Sequence, residues 1–327
     1  MTKHQSEIDE RTNLAGSNKF EMLMFRLGKD KVLGQSELFG INVFKIREIM
    51  AMPKITPIVG ADKSSLGVLN LRGQVIPVFD LPAIVGCEPE TGLNILLVTE
   101  YARTVQAFAV ESVEDIARLD WKQVIPADAS GTAKSLVTSF ARMNDEANGE
   151  QRLAQVLDVE AIVQMVTPEQ DRPTVAGKNI GAKLRMKENA IVLAADDSFV
   201  ARALLEQTLK ELEAPFEIVK SGKEAWERLN VLADQAEAEG QSIYDKVGLM
   251  LTDLEMPEMD GFTLTRHIKQ SPRFSRLPVL IHSSLSGTTN EDLVRKVGAN
   301  GYVAKFQPAE LAGAIRESLA DSPALAD

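Results

Sequence analysis

The sequence contains a single cysteine, Cys87, which excludes an internal disulfide framework. Histidine is nearly as scarce: His4, His267 and His282 are scattered, and no Cys/His spacing suggests a zinc site. No apolar run approaches the roughly 20 residues needed to span a bilayer. The opening residues, Met1 to Arg11, are polar and charged, unlike a signal peptide. The expected compartment is therefore the cytoplasm, with no direct membrane insertion. Positive charge is in deficit too. The 36 Lys+Arg against 47 Asp+Glu give a formal net charge of −11, which argues against nonspecific binding to nucleic acid or anionic lipid.

What is present is ordinary for a globular chain: 44% hydrophobic and 25% charged residues, over a length of 327 that accommodates two or three domains. The hydrophobic rhythm changes near residue 170. Before it, Phe20–Arg26, Leu66–Leu71, Val75–Phe79, Ile95–Thr99 and Val105–Val110 alternate with the two-residue period of half-buried strands. Leu71-Arg72-Gly73-Gln74 breaks two such runs and predicts a hairpin, and Tyr101–Thr104 does the same for the next pair. Short helices are expected near Val43–Met50 and Val159–Met165, and Pro126–Glu150 reads as an irregular loop. Pro168–Asn189 is richer in Pro, Gly and charge than its surroundings, and residues 169–189 read as a linker.

After residue 190 strands and helices alternate. Ala190–Ala195 is a continuous apolar run, as in a strand buried on both faces. Phe216–Val219, Val247–Thr252, Pro278–His282 and Tyr302–Ala304 supply four more strands. Helices are expected near Phe199–Glu213, Lys223–Glu237, Phe262–Gln270, Glu291–Val297 and Ala309–Leu319, the first capped by Ser198. Five strands alternating with five helices predict a doubly wound α/β domain with a parallel sheet.

Such sheets bind ligands beyond the carboxyl ends of their strands. Here those ends carry Asp196 and Asp197 after the first strand, Asp253 at the third, Ser283 at the fourth and Lys305 just past the fifth. Three carboxylates close together repel one another unless a cation joins them, and Mg²⁺ suits carboxylate oxygens combined with water and phosphate. The acid closing the central strand is placed to attack phosphorus, Lys305 to pair with phosphoryl oxygens and Ser283 to hydrogen-bond the product. Taken singly, each of these residues reads more simply as a helix cap or a surface charge. Their joint placement at strand ends carries the functional reading.

The run Leu251-Thr-Asp-Leu-Glu-Met-Pro-Glu-Met-Asp-Gly261, with Asp196-Asp197 upstream and Lys305 downstream, resembles the response-regulator receiver domain typified by CheY, over about residues 190–320. The resemblance implies that Asp253 is the phosphoacceptor and that Asp196, Asp197 and the Glu255 backbone carbonyl help hold Mg²⁺. It also implies that Ser283 and Lys305 sense the phosphate, and that Tyr302 is the aromatic switch. Phe306 stands where most receivers have proline after the lysine, and Glu255 adds an acid where many carry a neutral side chain.

Residues 1–167 contain no catalytic constellation. The segments Phe39–Ile49 and Gly67–Leu81, above all Asn70-Leu71-Arg72-Gly73 and Ile76-Pro77-Val78-Phe79-Asp80, resemble the CheW family of chemotaxis coupling domains, over about residues 15–168. That family implies two linked small β-barrels that bind chemoreceptor cytoplasmic tips and a CheA-type histidine kinase. Arg72 and Gly73, on the hairpin turn, are then candidates for partner contact. The segment carrying Lys45, Arg47 and Glu48 is a weaker one, read as a helix. A CheW-like domain followed by a receiver is the CheV architecture.

The resemblance implies a signalling adaptor at receptor arrays on the inner membrane, regulated by phosphorylation at Asp253 and not an enzyme with substrate turnover. Three alternatives stand beside it at this point: a phosphate sink, a static interaction protein with a silent receiver, and a phosphohydrolase of the haloacid-dehalogenase type. The last would place a DxD motif after the first strand, where this chain has Asp196-Asp197-Ser198. A DNA-binding output domain is not expected, because too little chain follows residue 320.

Overall fold

The computed structural model describes residues 19–32, 34–101, 104–127, 136–144, 151–167, 180–284, 294, 296–305, 307–320, 322, 324 and 325. The chain divides into two compact units, one spanning Lys19–Gln170 and one built on the residues from Asp171 onward.

In chain order the first unit comprises β1 (Lys19–Arg26), β2 (Lys29–Asp30), β3 (Leu38–Asn42), β4 (Ile46–Ala51), β5 (Ser65–Leu71), β6 (Gln74–Asp80), α1 (Leu81–Val85), β7 (Cys87–Glu88), β8 (Ile95–Tyr101), β9 (Thr104–Val110), β10 (Ser112–Asp120), β11 (Val124–Pro126), β12 (Val137–Asn144), β13 (Gln151–Leu157) and α2 (Val159–Val166). They form a six-stranded sheet in the order β10-β1-β3-β13-β12-β11, a five-stranded sheet in the order β4-β8-β9-β6-β5, and the small pair β2-β7. Each large sheet has its own apolar cluster. Met22, Leu38, Ala141 and Val156 belong to the first, and Ile76, Val78, Leu96 and Ala107 to the second. These two sheets stand where the two small β-barrels are expected. Among the described residues the outer strands do not pair to close either ladder.

Two local expectations are corrected. Val43–Met50 is not a helix: a 3₁₀ turn, Val43–Lys45, leads into strand β4. Ile46, Ile49 and Met50 sit at helical spacing, but β4 pairs antiparallel with β8, Met50 opposite Leu96, and the ladder overrides the local rhythm. Residues 137–144, read as loop, form β12, paired with β11 and β13. The hairpin at Arg72-Gly73 is as expected: Leu71 pairs with Gln74, and the two turn residues have φ of 52° and 91°. Positive φ at both central positions is the hand that matches strand twist in a two-residue hairpin.

The second unit comprises β14 (Ile191–Ala195), α3 (Phe199–Glu211), β15 (Phe216–Val219), α4 (Gly222–Ala238), α5 (Ile243–Lys246), β16 (Val247–Thr252), α6 (Gly261–Gln270), β17 (Val279–Ser283), β18 (Gly301–Ala304) and α7 (Pro308–Leu319). The sheet is wholly parallel, ordered β15-β14-β16-β17-β18. One core cluster joins it to α3 and α7, the other to α4 and α6, so every residue of β16 is buried. That double coverage is why the central strand reads as an unbroken apolar run. The helix expected over Glu291–Val297 lies mostly outside the described residues.

The stretch 169–189, expected as linker, is packed onto this unit in its described part. Ile180 and Leu184 enter the core between α3 and α7. The Leu184 N–H donates to Leu212 O at 2.7 Å, and Arg316 Nη1 donates to Ala182 O at 3.1 Å. The chain beyond α7 returns to it: Lys187 N–H donates to Ala324 O at 2.8 Å, and Met186 bridges Leu325. Leu184→Ala is therefore expected to lower the unfolding free energy of this unit by about 2–3 kcal/mol in chemical denaturation, as for other buried leucines. A substitution in a solvated linker stays within about 0.5 kcal/mol.

Candidate functional site

The acidic residues converge because the parallel sheet ends them on one edge. The β14–β16 ladder carries past the strands, with Asp253 N–H donating to Ala195 O at 2.9 Å. The Thr252 hydroxyl donates to Asp253 O at 2.9 Å, and Leu254 N–H donates to Asp253 Oδ1 at 2.6 Å. After β14, Asp196 Oδ1 accepts Ser198 N–H at 2.9 Å, and Ser198 Oγ caps α3 by accepting Ala201 N–H. From the fifth strand Lys305 reaches across the edge. Its N–H continues the β17–β18 ladder by donating to Ser283 O at 2.8 Å. Its Nζ lies 2.8 Å from both Asp253 Oδ2 and Asp196 Oδ2.

One oxygen each from Asp196, Asp197 and Asp253 lie within 4.8 Å of one another. Three carboxylates face one ammonium, so two negative charges are left over. The donor set suits a hard divalent cation: oxygens bound to one Mg²⁺ are separated by at most about 4.2 Å, so slight contraction completes the fit. Asp196, Asp253 and Lys305 are buried, which strengthens these charge interactions.

The remaining expected residues take these places. Ser283 ends β17 and is fully buried. Glu255 lies in the loop after Asp253 with its side chain buried. Tyr302, on β18, packs half-buried against Leu254, Ile281 and Val294. Phe306 falls outside the described residues.

Two features had a hidden role in the sequence. At Asp260-Gly261, Asp260 caps α6 by accepting the Thr263 N–H at 2.7 Å and hydroxyl at 2.9 Å. Burial pushes the Asp260 carboxyl up from its ordinary pKa, against the pull of these hydrogen bonds. A Cβ at Gly261 would collide with the Asp253 carbonyl oxygen, so only glycine lets α6 start directly beneath the site. The other is Arg202 in the first turns of α3. Its Nη1 donates to Asp196 O at 2.9 Å and to Asp197 O at 2.6 Å.

In the first unit, Arg72 projects from its hairpin, 76% exposed, with Nη2 2.7 Å from Glu48 Oε2. Gly73 N–H donates to Asn70 Oδ1 at 2.9 Å, pinning the turn. The segment with Lys45, Arg47 and Glu48 is not helical. Lys45 is buried beside Glu160 at 3.7 Å and so presents no surface to a partner. Arg47 and Glu48 lie on β4.

Comparison with known proteins gives the same division. Residues 21–167 match the CheW-like domain family and residues 192–316 the response regulator receiver domain family. Chemotaxis protein CheY1 of Helicobacter pylori is 31% identical over 36% of this chain and 86% of its own length. The chain thus belongs to the response-regulator receiver family through its second unit. Two further H. pylori proteins match nearly end to end. Chemotaxis protein CheV2 is 29% identical over 96% of this chain and 99% of its own length, and CheV1 is 27% identical over 98% and 99%. The chain is a CheV-type protein, a CheW-like domain followed by a receiver. Among the described residues no helix is long and apolar enough to cross a membrane.

Proposed function

We propose that this chain is a chemotaxis adaptor that couples chemoreceptors to a CheA-type histidine kinase and is regulated by phosphorylation of Asp253. The observation that carries the reading is the placement of Asp253 at the end of the central strand. There it shares Lys305 with Asp196 and sits within reach of one cation together with Asp197. A bound Mg²⁺, held by Asp196, Asp197 and Asp253, would offset the charge of the phosphoryl group in transit. An Asp253 carboxylate oxygen attacks phosphorus as the kinase's imidazole leaves. Lys305 then turns its ammonium to the new phosphoryl oxygens, and Ser283, one strand over, supplies a hydroxyl to them. Movement at the β17 end repositions the neighbouring side chains, and Tyr302 packs on that same face. The acid is itself the acceptor, so the receiver modifies itself and turns over no substrate.

The test is incubation of the full chain with Mg²⁺ and either acetyl phosphate or a phosphorylated CheA-type kinase, followed by mass-spectrometric site mapping. Label on Asp253 supports the reading. No label, under conditions that label a control receiver, removes it.

The adaptor role places the partner contact at the Arg72 hairpin, which a rigid turn presents with an exposed guanidinium. Arg72→Ala is expected to weaken kinase binding about tenfold by calorimetric titration, a typical loss for an interface arginine. Folding stability should change by less than about 1 kcal/mol, because Arg72 itself is largely solvated in its pair with Glu48.

A further inference from the structure

We propose that Arg202 is a positioning residue for the divalent-cation site: it fixes the turn from which Asp196 and Asp197 present their carboxylates. This rests on the metal-site reading given above and adds to it a residue that touches neither cation nor phosphate. One guanidinium nitrogen, Nη1, donates to two successive peptide carbonyls, Asp196 O at 2.9 Å and Asp197 O at 2.6 Å. Within the same turn Ser198 N–H donates to Asp196 Oδ1, and Arg202 N–H donates to Ser198 O at 3.0 Å. The two peptide planes that set the directions of both aspartate side chains are therefore clamped from the helix below.

The placement of Arg202 runs against the local electrostatics of the helix. It is the fourth residue of α3, where a cation opposes the helix dipole, and the first turn carries no acid to offset it. Among the described residues no carboxylate lies within ion-pair distance of its guanidinium, and its bonds go to the acidic turn's backbone. The two accounts of Arg202 predict opposite signs. If it acted only as a nearby positive charge, removing it would strengthen cation binding, because like charges repel. If it positions the turn, removing it weakens binding, by the roughly 10–100-fold typical of residues that orient metal ligands.

The experiment titrates MgCl₂ calorimetrically into the full-length wild type, Arg202→Ala and Arg202→Lys, with thermal unfolding in EDTA recorded in parallel. We expect Arg202→Ala to bind Mg²⁺ at least about tenfold more weakly while still unfolding cooperatively. Arg202→Lys should recover most of the affinity, because an ammonium can donate to the same carbonyls. The phosphorylation rate of Arg202→Ala with acetyl phosphate should need correspondingly more Mg²⁺ and approach the wild-type rate at saturation. If Arg202→Ala does not fold, Arg202→Met, which fills the same space without donor or charge, carries the same comparison. Unchanged or tighter Mg²⁺ binding by folded Arg202→Ala or Arg202→Met overturns the positioning role. A wild type that binds no Mg²⁺ overturns the metal-site reading as well.

Discussion

Asp253→Asn abolishes phosphoryl incorporation: no label appears from acetyl phosphate or from a phosphorylated CheA-type kinase, while the protein remains folded. The amide that replaces the carboxylate is not a nucleophile toward phosphorus, and the neighbouring acids do not replace it. Asp196 and Asp197 both lie on the turn after β14, off the central strand whose end Asp253 occupies. Folding survives because Lys305 keeps Asp196 at 2.8 Å, and replacing an acid by an amide relieves part of the repulsion among the carboxylates. The measurement is intact-protein mass with site mapping. Label on Asp196 or Asp197 in the variant contradicts the assignment. The same variant separates two uses of the site. A receiver that only drains phosphate leaves kinase coupling by Asp253→Asn untouched, whereas a regulated adaptor locks coupling in one state.

Lys305→Met is expected to have the largest effect on stability. The ammonium is fully buried between two carboxylates at 2.8 Å each, and removing it leaves both without their counter-charge. Breaking a buried pair in this way costs about 3–5 kcal/mol, read as a lower urea midpoint in metal-free buffer. Mg²⁺ recovers much of the loss, because a divalent ion then supplies the missing positive charge. At a hundredfold excess over its dissociation constant, such binding stabilises by about 2.7 kcal/mol. The wild type gains less, since there the cation competes with Lys305 for Asp253 and Asp196. Equal gains in the two proteins would show that Lys305 and the cation do not share these carboxylates.

Much of this site is legible before any folding. Val247–Thr252 reads as a strand buried on both faces because it is one, and Asp253 follows it directly. Phe216–Val219 matches its strand to the residue. The first unit is harder. Ser112–Asp120 is an edge strand exposed along much of its length, so it carries little alternation. Ile46–Ala51 carries apolar residues at spacings that suit a helix as well as a strand, and only pairing with β8 decides between them. Lys45 reads as part of a weaker partner-contact candidate, yet it is buried against Glu160, more than a hundred residues away.

The order of residues alone carries the chemical inventory and the local grammar. It sets which acids follow which strands, that Ser198 caps the helix after the first acids, and that Arg72-Gly73 lies on a turn. These are matters of side-chain type and of periods of two or 3.6 residues, and they act over a few positions. The tertiary structure alone decided the rest: that Lys305 bridges Asp196 and Asp253, that Arg202 grips the acidic turn's carbonyls, that Gly261 yields space to the Asp253 backbone, and that residues 180–187 and 324–325 pack onto the receiver. Most of those contacts join residues far apart in the chain, and those nearer in sequence depend on how a turn is oriented. Their free energy comes from burial and charge in the assembled core, which no local pattern records.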